Sequence, residues 1–177
     1  MNSINIPSKD IKKFMNCLLV GDTFDKFLLE EASITTFNTF TIDGHVQSDF
    51  YSEEELATLP DNTLSTWATI KPICFNLIKG NKLPLRFKIV LKASASYTEK
   101  LLLENPCGLA VKDIGGLYIN IRYDSKHGVS GEEVNTATLD CISMASLNIF
   151  SMDKTLEKAW DGVCEKFLGG MLYLIYK

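Results

Sequence analysis

The sequence predicts an α+β fold: a mainly antiparallel sheet with helices packed on one face. Two observations carry this. "LRFKIVL" (85–91) and "GLYINIRY" (116–123) alternate apolar and polar residues with the period of a half-buried strand. "TLEKAWDGVCEKF" (155–167) repeats Leu156, Ala159, Trp160, Val163 and Phe167 at helical spacing. Strands and helices interspersed in this way need a layered core with one sheet face covered.

The elements follow in order. After a short strand at Ile4, Ser8 is placed to cap a helix whose Ile11, Phe14, Met15, Leu18 and Leu19 share a face, ending at Gly21. "KFLLEEASI" and "TTFNTFTI" are rich in aromatic and β-branched residues and read as strands. Asp43-Gly44 is the preferred pair for a tight type I′ turn, with "HVQSDFY" as the returning strand. "SEEE" (52–55) matches a capping box and predicts a short helix. "STWATIKPICFNLIKG" is helical in pattern, with Pro72 predicting a kink or a fresh start and Gly80 just past the end. "SYTE" predicts a helix opening at Ser96 and closing at Asn105-Pro106. Within "GLYINIRY", Leu117, Ile119, Ile121 and Tyr123 stand opposite Tyr118, Asn120 and Arg122. "DSKHGVSGEEVN" reads as a polar loop, "TATLDCISM" and "SLNIFS" as one or two further strands, and Gly169-Gly170 as the stop of the last helix. This order suggests two β-α-β-β-β-α halves, 4–80 and 84–169, within a single domain spanning 1–177. An apolar tail, 170–177, follows. Its "MLYLIYK" has strand-forming composition and needs cover, either from its own sheet or from the sheet edge of a second copy.

Bulk properties bound the function. Apolar content of 46% and charged content of 23% are those of a soluble globular chain, and no apolar run approaches the ~20 residues that span a membrane. The opening "MNSINIPSKD" lacks the basic-then-apolar pattern of a secretory leader. Five scattered cysteines with no CxxC suggest small core residues in a reducing cytoplasm. Charge is uneven: ten acids and one lysine lie between Asp22 and Asp61, six basic residues and no acid between Lys71 and Lys92. The basic segment either complements the acidic one or forms a patch for an anionic partner.

The chemistry-bearing candidates are few. His45 and His127 are the only histidines, and no Cys or His pair has ligand spacing, so neither a metal nor a cofactor is expected. No phosphate-loop or nucleophile-elbow pattern occurs, and no catalytic residue is assigned. Asp43 and His45 flank the expected turn and are the acid/base candidates, set against the reading of an ordinary hairpin. Arg86, Lys88 and Lys92 project from one strand, and Arg122 with Tyr118 from another. Alternate strand residues lie ~6.6–7 Å apart, a spacing able to follow phosphates, with Tyr118 placed to stack a base. The competing reading is a solvated sheet face. Lys79 and Lys82 join this group as candidate anion or partner contacts, or as cations at a helix C-terminus.

"GDTFDKFLLEEASITTFNTFTIDG", "IKPICFNLIKGNKLP", "GLYINIRY" and "MDKTLEKAWD" together resemble a family of uncharacterised bacterial proteins, a domain of unknown function, over Ile4 to Phe167. The loop "HGVSGEEVNTAT", the tail and the "CISMAS" segment, where that family carries a glycine-containing turn, depart from it. The resemblance implies a cytoplasmic domain and brings no activity or catalytic residues. The element order is also similar to the repeats of sliding clamps, an analogy of fold alone. The expected function is a non-enzymatic binding or adaptor domain. The alternatives are an enzyme acting on a small anionic substrate and a nucleic-acid-binding protein using the basic sheet face.

Overall fold

The computed structural model describes residues 2–59, 63–126 and 136–174, with the backbone alone for Lys126, Thr136 and 172–174. Six strands form one antiparallel sheet: β1 (Ser3–Ile6), β2 (Leu28–Thr35), β3 (Thr39–Asp43), β4 (Arg86–Lys92), β5 (Ile114–Lys126) and β6 (Thr136–Leu147), in the spatial order β1-β6-β5-β4-β2-β3. The helices are α1 (Ile11–Leu19), α2 (Glu53–Thr58), α3 (Trp67–Ile78), α4 (Ala95–Glu104) and α5 (Thr155–Leu174). The predicted α+β class is the observed one.

Strand alternation sets the layers. Phe87, Ile89 and Leu91 of β4 stand beside Tyr123, Ile121 and Ile119 of β5 and face one core. Phe14 and Leu18 of α1, Trp67 and Cys74 of α3, Leu101 of α4, and Leu156, Trp160, Cys164 and Leu168 of α5 complete that core. Each fully buried Leu, Ile or Phe contributes about 1.5–3 kcal/mol relative to exposure. Both tryptophans are anchored by their ring N–H: Trp67 donates to the Leu18 carbonyl at 2.7 Å and Trp160 to the Tyr118 carbonyl at 3.0 Å. The opposite sheet face carries Ser33, Arg86, Lys88, Arg122 and Asp140.

Several local expectations need correction. Asp43-Gly44 is not a hairpin turn, since among the described residues only Gly108 has positive φ. The β2–β3 turn lies at Thr36–Asn38, where the Thr36 N–H donates to the Asn38 carbonyl at 2.9 Å and Thr35 pairs with Thr39. Glycine is required at 44 for a different reason: a Cβ there would sit 1.8 Å from the Leu29 carbonyl oxygen. "HVQSDFY" does not return as a strand. His45 makes one isolated bridge to Leu64, and Ser48–Phe50 turns as a 3-10 helix. Ser8 does not cap α1, because a 3-10 turn at Ser8–Asp10 intervenes. The α4 cap is Ser94, two residues before the predicted Ser96, with its hydroxyl accepting from the Tyr97 N–H at 3.3 Å. The Ser52 capping box forms as predicted. α3 runs through Pro72 from Trp67.

The halves are therefore β-α-β-β-α-α and β-α-β-β-α, without the fourth strand predicted in each. The "CISMAS" segment continues β6 instead of turning. β5 likewise continues through Asp124–Lys126, the start of the predicted loop. His127 and the rest of that loop to Asn135 lie outside the described residues. Gly169-Gly170 does not end α5, which continues to Leu174 with Met171 buried in the core. Met171–Leu174 is thus helix where a pairing strand was predicted, and 175–177 lie outside the described residues.

Candidate functional site

The sheet face opposite the helices gathers Arg86, Lys88 and Arg122 around a concavity of about 450 Å³ that also includes Ser33, Asp124 and Asp140. Register explains the grouping. Arg86 stands opposite Asp124, Lys88 opposite Arg122, and Arg122 opposite Asp140. The Lys88–Arg122 juxtaposition is like-charged and unfavourable alone. Lys88 forms an ion pair with Glu31 on its other side. Asp140 accepts a hydrogen bond from Asn5 at 2.9 Å. The face is therefore a lattice of alternating charge. Lys92 and Tyr118 lie further along it. The Lys92 ammonium stands 5.6 Å from the Tyr118 ring centroid, and that ring lies against Gly116, where a Cβ would meet it at 2.6 Å. The Tyr118 hydroxyl donates to the Gly115 carbonyl at 3.3 Å, and burial raises its pKa. A ring engaged by Lys92 and laid on the backbone is a poor platform for a stacked base.

Among the described residues two ion pairs join the acidic and basic segments: Lys71 bonds Asp25, and Lys88 bonds Glu31. Lys79 and Lys82 are not on the sheet face. They line a separate groove of about 1070 Å³ beside Lys12 and Lys13 of α1.

Asp43 and His45 do come together. The His45 Nδ1 lies 2.6 Å from Asp43 Oδ1, which also accepts from the His45 backbone N–H at 3.0 Å. The side-chain bond to Asp43 raises the His45 pKa, and the backbone bond leads the lowering of the Asp43 pKa. Both side chains are more than half exposed. This is the local geometry of an Asx-type turn, in open solvent.

A further concavity, on the helix-covered side of the sheet, was not predicted. A pocket of about 530 Å³ opens between the segment leading into β2, the β4–α4 junction and α5. Phe27, Ile119, Trp160, Val163 and Phe167 form its apolar wall. Phe27 and Phe167 rings lie 5.7 Å apart, and Tyr97 meets Trp160 edge-on at 6.2 Å. Among the described residues the polar lining comprises Thr23, Ser94, Ser96, Lys26 and Lys100, two cations and no acid. Two titratable groups lie in the wall. Burial drives the Cys164 thiol up to about 12 and raises the Tyr97 phenol. Both are held in their neutral forms, unsuited to nucleophilic work. Sequence spacing could not expose this site, because residues near 26, 97 and 163 converge only through the sheet. Among the described residues no group of three or more His, Cys, Asp or Glu side chains is placed to hold a metal ion, and no helix is long and apolar enough to cross a membrane.

No curated protein and no solved structure matches the chain significantly. A family model does match, over residues 17–171, taking in β2 to β6 and all the walls of the pocket. The chain therefore belongs to DUF5721, a family of unknown function.

Proposed function

We propose that this protein is a non-enzymatic binding domain whose ligand is a small amphipathic anion, an aromatic or aliphatic body carrying one acidic group. The pocket carries this reading. Its volume lies within the ~300–1,000 Å³ typical of small-molecule sites, its wall is mostly aromatic, and its charged lining residues are both lysines. An apolar body would occupy the space between Phe27, Trp160 and Phe167. An acidic head would lie toward Lys26 and Lys100 at the exposed mouth. The neutral thiol and phenol favour binding over turnover. Free cysteines throughout the described chain fit a reducing cytoplasm.

The nucleic-acid reading of the sheet face draws less support, since Glu31, Asp124 and Asp140 interrupt the basic residues and Tyr118 is engaged. Titration calorimetry with 1-naphthoate and its neutral methyl ester tests the proposal. The acid should bind more tightly than the ester. Lys26→Ala with Lys100→Ala should remove that preference, and Val163→Trp, which fills the pocket, should abolish both. Equal binding to the wild type and Val163→Trp, or none at millimolar naphthoate, would refute it.

A further inference from the structure

The groove holding Lys79 and Lys82 is a second surface that shares no lining residue with the pocket. It is built from the exposed side of α1, the C-terminal end of α3 and the connection into β4. Among the described residues four lysines line it, Lys12 and Lys13 from α1 and Lys79 and Lys82 after α3, and no acid does. That local excess stands against a chain whose net charge is −4. Between the lysines the groove is apolar and open to water. Val20 is 58% exposed, Leu83 62% and Phe75 37%, with the Lys79 ammonium 5.7 Å from the Phe75 ring centroid.

We infer that this groove docks an acidic amphipathic helix from a protein partner. Charge complementarity selects the acidic face: carboxylates on the partner would meet the lysines while its apolar stripe covers Val20, Phe75 and Leu83. The concave shape selects a rod-like segment over a planar bilayer. Of the strand residues at the groove, Tyr123 of β5 is paired with both β4 and β6, and at Ala137 of β6, where β1 has already ended, the 3-10 turn Ser8–Asp10 packs alongside. An extended peptide would find no free sheet edge to pair with there, so a helix is the form that fits.

The probe is a fluorescein-labelled 16-residue helical peptide with leucine at i, i+3, i+4 and i+7 and glutamate elsewhere, paired with a lysine-for-glutamate version. Fluorescence anisotropy with the full chain should show the acidic peptide binding in the micromolar range and the basic one not binding. Affinity should fall at least tenfold between 50 and 500 mM NaCl. Lys12→Glu with Lys82→Glu should weaken binding at least tenfold, and Leu83→Asp should do so independently. All three positions are exposed, so unchanged circular dichroism is expected, and Val163→Trp should leave peptide binding intact. Absence of binding by the acidic peptide, or binding indifferent to both sets of variants, overturns the inference. Stronger, variant-sensitive binding to phosphatidylglycerol vesicles than to the peptide also overturns it, by assigning the groove to a membrane surface.

Discussion

At the scale of single residues, identical amino acids serve unlike purposes. Gly44 looked like half of a turn and is instead a point of close backbone approach. Gly44→Ala would drive a methyl group into the Leu29 carbonyl, a rigid backbone atom. It should therefore cost toward the upper end of the ~1–3 kcal/mol typical of overpacking, read as a lowered denaturation midpoint. The Asp43–His45 pair was legible because a residue pair two apart is local. Its consequence is a pH dependence of definite sign. The folded His45 pKa lies above its ordinary value, so its stabilising contribution is fully present below about pH 6.5 and is lost as pH rises through the elevated folded value. Asp43, lowered, contributes above its ordinary range and loses that contribution as pH falls. The His45 ring titration followed by NMR should lie above the ordinary midpoint and return toward it in Asp43→Asn. An ordinary midpoint in the wild type would show that the pair is not formed.

At the scale of elements, periodicity was the reliable signal and punctuation the unreliable one. The stripes of α1 and α5 and the alternation of β4 and β5 were readable, because burial imposes them over many residues. Caps and stops depend on a few atoms, and tertiary packing overrides them. Ser94→Ala should cost about 1 kcal/mol through loss of the α4 cap, and Ser96→Ala much less. Thermal melts of the two variants compare them directly. α5 shows the same override: burial of Met171 continues the helix past two glycines that would otherwise end it. A Cβ at Gly169 or Gly170 meets nothing within 4 Å. Replacing both by alanine should stabilise the protein, by up to about 1 kcal/mol each. A destabilised double variant would mean that the helix stops where the glycines suggested.

At the scale of the whole molecule, element order was partly legible and spatial arrangement was not. The two halves have similar element order yet are not arranged alike: β4 lies between β5 and β2, whereas β1 lies beyond β6 at the far edge. Nothing in local pattern specifies which strands pair, which is also why the pocket and the lysine groove, each assembled from distant segments, escaped the sequence reading. Because strands of the first half flank the three strands of the second on both sides of one sheet, unfolding should be a single cooperative transition. Chain fragments split near Lys82 should not fold separately. Two resolved calorimetric transitions would contradict this. The position of β1 has a further consequence in time. Ser3 pairs with Ile142 and Ile6 with Leu139, so β1 leaves the ribosome long before its partner β6 has been made. The sheet cannot close during synthesis of its first half. Native β1 contacts must wait for a loop of more than a hundred residues to be drawn together, a slow step relative to the β2–β3 hairpin. Pulsed hydrogen exchange during refolding should protect β2 and β3 amides before those of β1, leaving β6 with an open edge until β1 docks.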